Sequence, residues 1–314
     1  MSTDRRIDWI DLTKGIAIFL MIVGHTSVPE FCSKYIWSFH MPLFFIISGM
    51  LFNQLKYLRF LDFFKRRIFS LLIPYFCFTL IVCVINAVND VGIVWNPIKG
   101  WISYALWFVE VLFTVELLMY FVIKYIRKKA TLLTCILCFL IGGWLMSEYK
   151  IYLPFKQNVV LWASFFYGFG FVFKIWLKEI KVQWYISTVM ICLNIVICQF
   201  LPKTDMCFNK QGIFPINTIV ALLGTLSIIT LTKSFPENFL KPVYNFLKWG
   251  GKNTLIIMGL SQLILLELAD ILSKYSMPKL TNSFIKYITL FIILYILSIV
   301  INKYMPFIVG KKKQ

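Results

Sequence analysis

The sequence is short of charge, of acid and of histidine. Only 15% of its 314 residues are charged, against roughly a quarter in an ordinary soluble chain. No hydrophilic stretch is long enough to fold as a separate soluble domain, so the expectation is a single membrane domain spanning 1–314. Metal-ligand spacing is also missing. Cys135 and Cys138 form a CxxC with no second pair or histidine after them, and Cys77, Cys83, Cys192 and Cys198 lie in apolar runs, where cysteine is a small hydrophobe. Cys32 and Cys207 fall in expected outer loops, and a bridge between them has little else in its favour. No cleavable signal peptide is visible, because the first apolar run leads into His25 and Pro29 rather than a small-residue cleavage site.

What is abundant is apolar length. Apolar residues make up 60% of the chain, with a mean hydropathy of +0.79. Because a helix needs about 20 apolar residues to cross a bilayer, the runs read as ten spans. They lie near 9–27, 36–53, 68–88, 104–126, 131–147, 157–176, 183–200, 215–232, 253–272 and 284–308. The expected architecture is therefore an all-α polytopic membrane protein. The net charge of +18 sits in short clusters at span boundaries, among them Lys65-Arg66-Arg67, Arg127-Lys128-Lys129 and Lys311-Lys312-Lys313. That placement argues for anionic lipid headgroups and against nucleic acid. With both termini in the cytoplasm, 23 of the 32 basic residues fall on the inner side, as the positive-inside rule requires. The chain closes on Lys311-Lys312-Lys313-Gln314, and no appended catalytic domain is expected.

Ionisable groups inside a span are costly and mark function by default. The first two expected spans hold the densest set. Lys14 and His25 are eleven residues apart, about three helical turns, so they share a face at roughly 16 Å axial separation. Asp11 lies about 21 Å along the axis from His25 and cannot orient its imidazole. A short connection makes the first two spans antiparallel neighbours, which puts His25 and His40, the two histidines of the chain, at similar depth. Glu110 and Glu116 lie in the fourth span. Glu110 falls near the histidines' level and is the candidate to orient one of them, while Glu116 reads as a helix-bonding residue nearer mid-membrane. Asn53, Asn86 and Asn89 read as helix-end residues. The aromatic run Trp162–Phe173, with Gly168 and Gly170, reads as lipid-facing and helix-packing surface rather than a sugar platform. No serine or cysteine stands out as a nucleophile.

These residues carry a resemblance. Asp11-Leu12-Thr13-Lys14-Gly15-Ile16-Ala17-Ile18 with Gly24-His25, and Phe39-His40-Met41-Pro42-Leu43-Phe44-Phe45-Ile46-Ile47-Ser48-Gly49, resemble the two opening motifs of the membrane-bound acyltransferase family 3. Within it, the similarity is to the fucose 4-O-acetylase-like group. Arg66, Arg67 and Pro74-Tyr75, then Leu106-Trp107-Phe108, then Gly251-Lys252-Asn253-Thr254-Leu255, resemble later motifs in the family's order. Two positions depart from it. Ser261 stands where many relatives carry a third histidine, and Ser70 where a second arginine is common.

The resemblance implies an O-acyltransferase that moves an acetyl group from cytoplasmic acetyl-CoA to a hydroxyl of a cell-surface carbohydrate or its lipid-linked precursor. It implies a bacterial cytoplasmic membrane and no permanently bound cofactor. Lys14, Arg66 and Arg67 are the candidates to attract the coenzyme A phosphates. His25 is the candidate general base, with His40 and Glu110 beside it as catalytic candidates, since an unperturbed imidazole suits that task near neutral pH. An acyl-His25 intermediate is the other route open. Asp11, Gly15, Pro42, Ser48 and Gly49 are expected to shape the motifs. The competing reading is a transporter or flippase of a sugar-type substrate. Transporters often show paired internal repeats, and none is evident here, with both histidines in the first 40 residues.

Overall fold

A computed structural model describes residues 7–26, 28–57, 59–88, 104–235, 240–275 and 278–311. Arg5, Arg6, Asn89, Lys312 and Lys313, which figure in the charge and helix-end readings above, lie outside them. The regular structure of the described residues is all helical, with no strand and one isolated bridge between Asp205 and Lys210. In chain order the helices are α1 (Asp8–Gly24), α2 (Glu30–Leu51), α3 (Phe60–Arg67), α4 (Ile73–Val88), α5 (Trp107–Tyr125), α6 (Lys129–Glu148) and α7 (Val160–Val172). There follow α8 (Lys174–Glu179), α9 (Trp184–Gln199), α10 (Ile216–Ser234), α11 (Lys241–Lys252), α12 (Thr254–Ser273) and α13 (Lys279–Tyr304).

Each of the ten apolar runs contains helix, and the sixth is divided between α7 and α8. Among the described residues, five helical stretches are long and apolar enough to cross a membrane: Phe60–Asn86, Lys129–Glu148, Ile216–Ser234, Thr254–Ser273 and Thr281–Tyr304. Their outward faces are apolar, with Phe76, Leu80, Leu137, Ile292 and Tyr295 exposed. A water-soluble helix would carry polar residues there. The protein is thus an all-helical membrane protein.

The chain forms two compact units, Met1–Leu58 with Thr114–Thr254, and Arg59–Phe113 with Leu255–Gln314. In the first unit, α1 packs on α11 and α2 packs on α7. Both contacts are backbone to backbone. A Cβ at Gly251 would overlap the Asp11 carbonyl, and one at Gly15 would overlap the Leu247 carbonyl. Likewise, a Cβ at Gly49 would strike the Tyr167 carbonyl and one at Gly170 the Ile46 carbonyl. Small residues serve membrane helices in this way, because close approach brings dispersion and weak polar contacts where no hydrophobic drive exists. The glycines of both opening motifs are therefore seats for a partner helix.

Helix α11 was not among the ten runs. It is short and amphipathic, with Lys241, Lys248 and Lys252 on one side and a stack of Phe19 on Phe246 (4.6 Å) and Trp249 (6.2 Å) on the other. Lys248 donates to the Asp8 carboxylate in the first turn of α1. That bond is the main reason its ammonium is held above the usual lysine value. A raised value for a base means the stabilisation is complete below pH 10.5 and fades as pH climbs through the folded-state value. Because the pair is partly exposed, Lys248→Met is expected to cost no more than about 1 kcal/mol. Thermal melts in detergent check this, and the difference from wild type should vanish at strongly alkaline pH. Elsewhere in the unit, Thr13 bonds Thr232 across α1 and α10 at 2.7 Å. The Lys233 ammonium donates to the Leu177, Lys178 and Ile180 carbonyls around the end of α8.

In the second unit α3 runs into α4 through one wide π-turn, Ile68–Leu72. Pro74 explains the turn. Its ring removes an N–H and crowds the carbonyl one turn back, so the ladder must widen there. The closing turn of the chain, Pro306–Val309, lies against this region. Gly310, at φ 65°, approaches the backbone of Phe69 and Ser70 more closely than a side chain would permit.

The run Trp162–Phe173 corrects one reading. Helix α7 packs helices, as expected, but most of its aromatic residues do not face lipid. Trp162, Phe165, Phe166 and Tyr167 are buried, because α2 and α6 close on α7 from two sides.

Candidate active site

His25 closes α1. Its backbone N–H bonds the Met21 and Ile22 carbonyls, and its side chain is half-buried. In α2, the next helix, His40 is 4% exposed. Trp37, one turn before His40, joins the two. Its ring centroid lies 5.4 Å from that of His25 and 5.7 Å from that of His40, edge-on to both. The indole N–H donates to the Gly24 carbonyl at 3.2 Å, which fixes the ring against the end of α1. The structure thus brings both histidines to one place, about a shared indole.

The tautomer of His40 follows from one contact. Its Nδ1 lies 2.8 Å from the Ile36 carbonyl, one turn back on the same helix. A carbonyl can only accept, so Nδ1 carries the hydrogen and a neutral ring presents its lone pair at Nε2. The orienting group found for His40 is therefore backbone, not carboxylate. The His25 side chain has no hydrogen-bond partner among the described residues, and its ring lies against Trp37.

A loop between α9 and α10 caps this corner. Thr204 donates to the Trp37 carbonyl at 3.1 Å, and the Lys203 ammonium sits 4.4 Å from the Trp37 ring centroid. The loop is built independently of the histidines. Asp205 and Lys210 exchange two backbone bonds of 2.9 and 2.8 Å. The Asn217 side chain accepts from the Ile213 N–H at 2.8 Å and donates to the Pro202 carbonyl at 3.2 Å, tying both ends of the loop together.

At the other end of α1, Lys14 pairs with Asp11 at 3.3 Å. Asp11 is 2% exposed, and its backbone is the seat of Gly251. In α2, Pro42 and Gly49 are buried and Ser48 is half-buried. Glu116 is buried in the first unit. Glu110, Arg66 and Arg67 belong to the second unit. There Glu110 is buried in the first turn of α5, Arg66 is exposed, and Arg67 stacks its guanidinium over Phe63 at 5.2 Å. Ser261 is buried, and Ser70 lies in the π-turn. No disulfide joins Cys32 to Cys207 or Cys135 to Cys138. Asn53 does cap, accepting from the Leu55 N–H.

Sequence reasoning missed Trp37, Lys203 and Thr204. Trp37 left a local signal, since an aromatic three residues before His40 shares its helix face. Lys203 and Thr204 left none, because they reach the site across more than 160 residues.

A family model described as an acyltransferase domain matches residues 7–303, nearly the whole chain. This protein accordingly belongs to acyltransferase family 3, and the class its fold and family define is a membrane acyltransferase. No curated protein and no solved structure matches it.

Proposed function

We propose that this protein is an O-acetyltransferase. It moves an acetyl group from cytoplasmic acetyl-CoA to a hydroxyl of a cell-surface carbohydrate or its lipid-linked precursor, in a bacterial cytoplasmic membrane. The observation that carries the reading is the pair of imidazoles about Trp37, one half-open and one buried with its lone pair at Nε2. His25 takes the proton of the acceptor hydroxyl as its oxygen attacks the thioester carbonyl. The carbonyl electrons move to oxygen, then return as the C–S bond breaks and the thiolate leaves. His40, with a defined tautomer, binds or orients the acceptor hydroxyl, and Glu110 is a further catalytic candidate. Lys14, Arg66 and Arg67, placed on the cytoplasmic side by the charge bias, attract the phosphates of coenzyme A.

The test is transfer in membrane vesicles supplied with labelled acetyl-CoA on the cytoplasmic face. Label reaching a glycan or lipid-linked fraction supports the reading and yields the acceptor. Absence of transfer across a range of glycan acceptors would move the function toward transport.

His40 permits a finer test. Asparagine can retain the bond to the Ile36 carbonyl but places nothing at Nε2, whereas glutamine places a polar atom there. If the Nε2 lone pair serves the reaction, His40→Gln should retain more activity than His40→Asn. The reverse order would assign His40 to holding α2 in shape.

A further inference from the structure

The cation at the histidine pair is not accounted for by the fold. Lys203 is exposed and, among the described residues, forms no ion pair. Its one contact of note is the Trp37 face, and exposed cation–π contacts contribute little to stability. The loop stands without it, through the Asp205–Lys210 bridge, the two Asn217 bonds and the Thr204 bond to Trp37. Neighbouring Asp205 offers a weak rival anion. Burial pushes its carboxyl above the ordinary value, while the Phe208 and Cys207 N–H groups and then the charges of Lys203 and Lys210 act the other way. Its carboxylate is already engaged by the Phe208 N–H.

The position of the ammonium is more telling than its company. It lies 4.4 Å from the Trp37 ring, and that ring lies 5.4 and 5.7 Å from the two imidazoles. Lys203 is therefore within about 10 Å of both histidine rings, a distance that a mono- or disaccharide bridges. In the orientation proposed above, it stands on the extracytoplasmic side, with Lys14 toward the cytoplasm at the other end of α1.

We infer that Lys203 is a specificity-determining residue, selecting an acceptor that carries an anionic oxygen group, a carboxylate or phosphate, close to the hydroxyl to be acylated. This rests on the acyltransferase reading for its meaning but not for its test. Lipid headgroups carry the same chemistry, so the experiment must separate the two sources.

The purified protein, reconstituted in phosphatidylcholine vesicles, is treated from outside with a membrane-impermeant amine-reactive ester. Labelling of Lys203 is read by peptide mass spectrometry, with exposed Lys210 of the same loop as internal control. Glucuronate should protect Lys203 relative to glucose, while Lys210 labels equally with either sugar. Equal labelling of Lys203 with both sugars would overturn the inference. Protection by phosphatidylglycerol in the vesicle instead of by glucuronate would also overturn it, and assign Lys203 to lipid.

This readout needs no turnover, so it can succeed even if transfer fails. With the acceptor found in the vesicle assay, Lys203→Met should raise its KM roughly ten- to hundredfold, the value of a charged hydrogen bond, with kcat little changed. Lys203→Arg should restore it, and a neutral acceptor would sink the proposal.

Discussion

His25→Ala should lower acetyl transfer by about 10²–10⁴-fold, the usual worth of a positioned general base, and leave the protein folded. The two halves of that expectation have separate grounds. Chemically, His25 is the more accessible imidazole of the pair, so it is the one an incoming hydroxyl can meet. Structurally, its side chain bonds nothing among the described residues and touches Trp37 edge-on. The turn that ends α1 uses its backbone, which alanine retains. The check is label transfer at matched expression, with the size-exclusion profile in detergent read alongside. Equal transfer by mutant and wild type would remove His25 from the mechanism. Loss of transfer together with loss of a folded peak would make His25 a structural residue.

Gly251→Val should abolish the folded protein altogether, although Gly251 is remote from both histidines in sequence. A side chain there enters the Asp11 carbonyl of α1. Backbone inside a packed helix pair cannot yield as a side-chain tip can, so α11 must leave α1 or α1 must deform. Gly15→Val should fail in the same way against Leu247. Gly142→Ala is the control, because its Cβ would meet only the end of the Leu161 side chain, at 3.0 Å. It should be tolerated. The measurement is the yield of monodisperse protein in detergent. Folded Gly251→Val with wild-type melting would show that the α1–α11 contact is not what holds this corner together.

Much of this was legible in one dimension. Apolar runs of membrane length announce helices because lipid leaves backbone groups no partner outside their own segment. The antiparallel placing of α1 and α2 follows from a connection too short for anything else. The motif residues Asp11, Lys14, Gly15, His25, His40 and Gly49 could be picked out, yet what several of them do could not. Gly15 and Gly49 proved to be seats for α11 and α7, and Asp11 a partner for Lys14. Helix α11 is hidden from a hydropathy window of membrane length, because a short amphipathic helix has no long apolar run. For the Trp162–Phe173 aromatics, composition cannot distinguish an apolar face toward lipid from one toward another helix.

By itself, the sequence determined that this is a helical membrane protein and which ionisable residues lie where they should not. Both are properties of local chain: hydropathy over a window, and a charge out of place within it. Only the tertiary structure decided that His40 presents Nε2, that Trp37 joins the imidazoles, and that Lys203 stands beside them. Those facts depend on side-chain direction and on a loop returning from far along the chain. The hydrophobic pattern that places helices in a membrane is indifferent to both.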